Sequence, residues 1–236
     1  MRGFLVVRMP YNAPMLICLF DIDGTLLASG GAGKAALESA FTEEFQTELR
    51  CQVPYSGRTD RAIIRDLFSS HAIDETPEVR RRLFDGYLRR LPGCLRSHRG
   101  RVLPGIQELL GQLQARNHCA LGLLTGNVRA GAQAKLGHFG LDGHFRFGGF
   151  GDEHHDRDDV AREALATVRR EVHPDVRPDK IWVIGDTPLD VRCARAIGAR
   201  VATVATGVHS FEELSATNPD VALHDLSDPS PLLNRW

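Results

Sequence analysis

The sequence has few cysteines, no excess charge of either sign and no long apolar run. The five cysteines (Cys18, Cys51, Cys94, Cys119 and Cys193) are an odd number, widely spaced and without a C-x-x-C pair. That pattern excludes a disulfide framework and a cysteine-based zinc site, so they read as reduced thiols in a cytoplasm. With 29 Lys plus Arg against 30 Asp plus Glu, the formal net charge is -1. No global field draws such a chain onto nucleic acid or anionic lipid, and neither is expected as a partner. The opening MRGFLVVRMPYNAP holds one four-residue apolar run between arginines, too short for a signal-peptide core or a membrane span. It reads as a loose leader, with Met15 a candidate start. Internal repeats and low-complexity tracts are also missing. What remains is an ordinary globular composition over 236 residues, 42% hydrophobic and 25% charged, enough for one large core or two unequal ones. The sequence is silent on oligomeric state.

Leu16 to Phe20 is a continuous apolar run stopped by Asp21, the pattern of a strand buried on both faces of a parallel sheet. Ala120 to Leu124, Ile181 to Ile184, Val201 to Ala205 and Val221 to Leu223 repeat it, with a weaker run from Phe145 to Phe150. Helical patterns lie between them: Ile106 to Arg116, Val128 to Phe139, Asp158 to Val172 and Leu189 to Ile197. The alternation predicts an α/β, Rossmann-like, doubly wound parallel sheet. The stretch from about Leu27 to Arg101 breaks this rhythm, with helical patterns at Lys34 to Leu49, Asp60 to His71 and Pro77 to Leu91 and no buried strand. It predicts an inserted helical cap over residues 28–101, hinged at Ser29-Gly30-Gly31 and near His98 to Gly105, on a core of residues 15–27 and 102–236.

Ligands of parallel α/β sheets collect at the carboxyl ends of the strands. The first run ends in Asp21-Ile22-Asp23-Gly24-Thr25, the next in Thr125-Gly126-Asn127, and a later one in Gly185-Asp186-Thr187-Pro188-Leu189-Asp190. If these edges adjoin, Asp21, Asp23, Asp186 and Asp190 share one crevice. Each like-charge pair there at about 4 Å costs about 4 kcal/mol at an effective dielectric near 20, so the cluster needs a cation or a proton. All-oxygen ligands favour a hard ion, Mg²⁺ first. Asp21 and Asp23, two residues apart, suit a division of labour. One attacks phosphorus, and the other protonates the leaving oxygen and then activates water, provided its surroundings keep it protonated at first. Thr25 and Thr125 offer hydroxyls, and the amides around Gly126 and Asn127 offer N–H groups to a phosphate before a helix start.

Asp21-Ile22-Asp23-Gly24-Thr25-Leu26 resembles the first motif of the haloacid dehalogenase superfamily in its phosphatase form. Leu124-Thr125-Gly126-Asn127 and Gly185-Asp186-Thr187-Pro188-Leu189-Asp190 resemble its second and fourth. The resemblance implies Asp21 as nucleophile, Asp23 as general acid/base, Thr125 binding the phosphoryl group, and Mg²⁺ held by Asp21, the Asp23 carbonyl and Asp186 with support from Asp190. The insertion point is that of the type-one helical cap of phosphoglycolate-phosphatase-like members. The implied function is hydrolysis of a small phosphorylated metabolite through an aspartyl-phosphate. The third motif departs from the family, since no Lys-Pro precedes the helix leading to the fourth. Arg157 sits where that lysine belongs and is the preferred cation, and Lys135 is its competitor, at a position that suits structural or rim charge better. Ser56-Gly57-Arg58-Thr59-Asp60 resembles the cap loop that reaches the active site, so Arg58 is expected to meet a substrate anion.

Blander readings account for other features. An EF-hand from Asp21 would need Gly and Glu where Leu26 and Ala32 stand. Ser29 to Lys34 lacks the glycine and hydroxyl of a phosphate loop. His154-His155 reads as solvated, as do Arg80 to Arg82 with Arg89 and Arg90 on a cap helix. A dehalogenase would lack the acid at Asp23. A phosphosugar mutase differs in its cap, and a catalytically silent scaffold on the same fold is the rival from another class.

Overall fold

A computed structural model describes residues 15–50 and 52–236. The leader and Cys51 lie outside the described residues. In chain order the elements are β1 (Leu16–Phe20), β2 (Leu27–Ala28), α1 (Ala32–Phe45), α2 (Asp60–Ser70), α3 (Pro77–Ser97), β3 (Arg101–Val102), α4 (Ile106–Gln114) and β4 (Cys119–Leu124). They continue with α5 (Arg129–His138), β5 (Gly148–Gly149), α6 (Arg157–Glu171), β6 (Ile181–Gly185), α7 (Pro188–Ala196), β7 (Arg200–Val204), α8 (Phe211–Ala216), β8 (Val221–Leu223) and α9 (Ser230–Leu233).

Six strands form a parallel sheet in the order β5-β4-β1-β6-β7-β8. Successive side chains of a strand face opposite ways, and β1 shows why its run is apolar throughout. Cys18 and Phe20 pack with α4 and α5 on one face, while Ile17 and Leu19 pack with α6 and α7 on the other. Helices on both faces make the sheet doubly wound, as its sequence pattern predicts. Strand order reverses at β1, from which the chain crosses first toward β4 and later to β6 on the other side, and this opens the ligand crevice at their carboxyl ends. Among the described residues no helix is long and apolar enough to cross a membrane.

Helices α1, α2 and α3 share a separate apolar cluster around Phe41, Phe68, Leu83 and Leu91, joined from the sheet unit by Val128. The two chain crossings into this helical unit pair as a short antiparallel ribbon, Leu27 opposite Val102 and Ala28 opposite Arg101. Two-residue strands carry no periodicity, so the sequence shows only glycine turns there. Two helix ends also differ from expectation. Helix α1 stops at Phe45 because Gln46 is left-handed at φ 49°. Helix α3 runs through Pro92 to Ser97, because Leu91 and Leu95 on either side of the proline both bury in the cap cluster. The Phe145 to Phe150 run narrows to the two glycines of β5.

Candidate active site

Asp21, Thr125 and Asp186 are each the first residue past β1, β4 and β6. In register, Phe20 lies beside Leu123 on one side and Ile184 on the other, so the three polar residues emerge together. The Asp21 amide continues the ladder to the Ile184 carbonyl at 2.9 Å, which fixes where its carboxylate starts. Asp21, Asp186 and Asp190 are all buried, and each offers an oxygen within 4.8 Å of the others. Burial, with the Asp190 charge adding to it and Arg157 opposing it, pushes Asp21 up to about 6. Burial and the same neighbouring acids raise Asp186 well above the usual carboxylate value. Both shifts express a site short of positive charge.

Arg157 is the first residue of α6, and its guanidinium is 3% exposed. Nη1 lies 3.5 Å from Asp21 Oδ2, while Nη2 pairs with Asp190 Oδ1 and donates to the Leu124 carbonyl at 3.3 Å. Its Nε is buried and has no hydrogen-bond partner among the described residues. Asp190 is oriented from its other oxygen, which accepts from the Thr187 amide at 3.0 Å and hydroxyl at 2.7 Å in the capping box that starts α7. Both Asp190 oxygens are thus engaged, and the freer carboxylates of the trio are those of Asp21 and Asp186.

Asp23 stands outside this trio. Its Oδ2 accepts from Lys135 Nζ at 2.5 Å and Asn127 Nδ2 at 3.0 Å, and its Oδ1 from the Ser29 hydroxyl at 3.2 Å. Desolvation works to raise Asp23, but Lys135, Asn127 and Ser29 together hold it below the usual carboxylate range. The proviso of a resting Asp23 kept protonated therefore fails, because a buried ammonium is its nearest neighbour. Lys135 is also not a rim charge. Its side chain is 6% exposed, because long helical side chains run back toward the helix N-terminus, here from α5 to Asn127 Oδ1 at 2.6 Å. The two competing cations are both present, Arg157 on Asp21 and Lys135 on Asp23.

Three expected substrate contacts are placed differently. The Thr25 hydroxyl donates to Asp186 Oδ1 at 3.0 Å, so it orients an acid of the trio. Asn127 is turned into its own loop, its amide and Nδ2 both reaching Thr125 Oγ1 at 3.3 and 2.8 Å. Thr125 Oγ1 accepts from both and keeps its own proton to donate. Arg58 has its guanidinium on Asp66 at 2.6 Å and on the Pro54 carbonyl at 3.2 Å, because α2 presents an acid about two turns from its start. The loop ahead of α2 still reaches the crevice through its backbone. A Cβ on Gly57 would stand 2.8 Å from Thr187 Oγ1, and one on Gly126 would overlap the Arg58 carbonyl. Asp60 completes the contact, its amide donating to Gly126 O at 2.7 Å and its Oδ2 accepting from the Val128 amide at 2.9 Å. Burial pushes Asp60 up to about 6 against the pull of Lys135 and that amide.

The sequence pattern of haloacid dehalogenase-like hydrolases matches residues 18–195. The chain belongs to that family. It is 30% identical to the phosphoglycolate phosphatase of Synechococcus elongatus, over 91% of this chain and 95% of that protein. It is 23% identical to the phosphoglycolate phosphatase of Escherichia coli K12, over 91% and 90%. Its fold superposes on the crystal structure of a predicted phosphoglycolate phosphatase from Haemophilus somnus with a TM-score of 0.71, at 18% identity over 94% and 99% of the two chains. This haloacid dehalogenase-like protein is a hydrolase of phosphatase type.

Sequence reading missed several residues of this hydrolase's site. Thr187 had a visible signal, a Thr three residues before Asp190 at a helix start. Ser29 and Gly207 had none, since only folding brings them to Asp23 and Asp186. Gly24, at φ 86°, and Gly207 both face Asp186, and a Cβ on either would overlap its carboxylate. Gly207→Ala is therefore expected to displace Asp186 and lower phosphatase turnover at least about 10²-fold, in line with loss of a group that orients the reacting centre. Steady-state phosphate release by the folded variant checks this, and an unchanged rate would refute it.

Proposed function

We propose that this hydrolase is a Mg²⁺-dependent phosphomonoesterase acting on a small phosphorylated metabolite through an aspartyl-phosphate on Asp21. The observation that carries the reading is the buried trio Asp21, Asp186 and Asp190 facing one guanidinium, Arg157. Three carboxylates against one internal cation, with two of them pushed toward protonation, fit a hard divalent ion, which uses one or two carboxylates plus water and substrate oxygens. Asp21 and Asp186, with the Asp23 carbonyl that the family resemblance adds, would hold it. Bound there, the ion supplies charge neutralisation for the phosphoryl oxygens and the nucleophile.

The chain's own groups do the rest. Asp21 attacks phosphorus. Arg157 offers its Nε, which has no partner among the described residues, and the loosely held Nη1 to phosphoryl oxygens, Thr125 its hydroxyl proton, and Gly126 an amide without an acceptor among the described residues. Asp23 delivers a proton to the leaving oxygen and then takes one from the hydrolytic water. Because Lys135 keeps resting Asp23 ionised, the first proton arrives with the monoanionic form of the ester. Residues 28–101 act as the cap and close over the crevice at Gly57 and Arg58, excluding bulk water. The four described cysteines are free thiols, which suits a reducing cytoplasm. Phosphoglycolate is the first substrate to try, on the strength of the relatives.

Phosphate release from p-nitrophenyl phosphate and phosphoglycolate, with Mg²⁺ and after chelation, tests the proposal. Chelation is expected to lower the rate at least about 10²-fold, restored by added Mg²⁺. Undiminished release without divalent ions would overturn the metal assignment.

A further inference from the structure

Two of the free thiols meet inside the sheet. In the register of β1 and β4, Cys119 lies opposite Leu16 and Cys18 opposite Leu121, so the two cysteines stand one diagonal step apart. Alternation along each strand points both into the apolar cluster that α4 covers, and their Sγ atoms are 3.9 Å from each other. Their surroundings differ. Cys18 is fully buried, and burial raises its thiol well above the ordinary value. Cys119 opens β4 directly after the exposed Asn117 and His118 and is itself only partly buried. Its amide donates to the Arg116 carbonyl at 3.1 Å. The hydrogen bond from Cys18, and then the Arg116 charge, hold the Cys119 thiol below its ordinary value against burial. An accessible, thiolate-prone sulfur touching a buried thiol is the arrangement of a reactive cysteine and its resolving partner. Cys193 is a contrast: burial pushes it up to about 12, and its Sγ lies on the Asp190 carbonyl at 3.4 Å.

We propose that Cys119 and Cys18 form a reversible oxidation site for hydrogen peroxide, and that the disulfide it produces joins β1 to β4 and slows the hydrolase. The Cys119 thiolate attacks one peroxide oxygen, the O–O bond breaks, and the hydroxide that leaves takes up a proton to become water. Cys18 Sγ then attacks the sulfur of the Cys119 sulfenic acid, the S–O bond breaks, and the departing hydroxide carries off the Cys18 proton as a second water. Two thiols give up two electrons and one peroxide receives them. Forming an S–S bond of about 2.05 Å from sulfurs 3.9 Å apart draws the strands together along that diagonal. Asp21 follows Cys18 by three residues at the end of the same strand, so the movement reaches the crevice through the backbone. The site itself needs neither a metal nor a phosphoester, and a disulfide of this kind is transient where thiols are kept reduced.

The full chain treated with hydrogen peroxide tests this, by intact mass, by peptide mapping and by phosphate release from p-nitrophenyl phosphate with Mg²⁺. Wild type is expected to lose two hydrogens, about 2 Da, as a Cys18–Cys119 disulfide. Turnover should fall at least about 10-fold, the scale of a reacting group moved by less than 1 Å, and dithiothreitol should restore both mass and rate. Cys119→Ser should keep its rate through the treatment. In Cys18→Ala the sulfenic acid on Cys119 lacks its resolving thiol, so dimedone should trap it, and continued peroxide should carry it to a sulfinic acid that dithiothreitol does not reverse. If Cys18→Ala folds poorly, the mapping of wild type decides. Linkage to another cysteine, no linkage at all, or a Cys18–Cys119 disulfide with undiminished turnover would each overturn the proposal and leave the phosphatase reading standing. Absence of phosphate release before any oxidation would end the phosphatase reading alone, because the mapped disulfide still judges this site.

Discussion

Asp21→Asn is expected to abolish turnover, by at least about 10⁴-fold, because an amide oxygen cannot form the phosphorylated intermediate and the paths around a missing nucleophile are slow. The substitution nearly preserves shape, so the loss would reflect chemistry. Stability is expected to move the other way. Asp21 is buried beside Asp186 and Asp190, with Arg157 shared among them, and each like-charge pair at about 4 Å costs about 4 kcal/mol at an effective dielectric near 20. Removing one of three charges relieves that crowding in the metal-free protein. A thermal melt without divalent ions should show Asp21→Asn at least as stable as wild type while phosphate release disappears. Near-normal Mg²⁺-dependent rates in this variant would sink the assignment of Asp21.

Asp23→Ala is expected to lose at least about 10²-fold in turnover, with a signature that separates acid from base. Alkyl esters need a proton on the leaving oxygen and should lose the full amount in the first step. p-Nitrophenolate leaves without one, so its first step should survive and the second, hydrolysis of the intermediate, should limit. A burst of nitrophenolate followed by slow steady turnover is the expected trace by stopped flow. Equal losses on both esters with no burst would deny Asp23 its double role. The variant also strands Lys135 without its carboxylate partner, so a melt should accompany the kinetics, and a lowered melting temperature is expected from an unpaired buried charge.

Both predictions concern residues of one short motif, two apart in the chain, which is why the sequence exposes them. An apolar run that stops at a polar residue marks where a buried strand reaches the crevice, and three such stops in order point to Asp21, Thr125 and Asp186. The central position of β1 between β4 and β6 then turns that list into a place. Arg157 was legible only through the family resemblance, as the cation standing where the third-motif lysine belongs. Arg58 was only half legible. Its loop reaches the site, but Asp66, eight residues on in α2, takes the side chain, a choice among partners that spacing does not rank.

By itself the sequence determined the alternation of strands and helices, the helical insertion, the order of the motifs and the acids at the strand ends, since each follows from local periodicity or an abrupt change of polarity. Tertiary structure alone decided how those groups are shared out. Lys135 reaches Asp23 across 112 residues and Thr25 reaches Asp186 across 161. Gly207, past β7, must lack a side chain because of the Asp186 carboxylate past β6, and the uncapped end of α1 meets an ammonium from α5. These pairings depend on distances set by packing the cap onto the sheet, and electrostatic energy changes steeply over the few ångströms that a linear sequence does not encode.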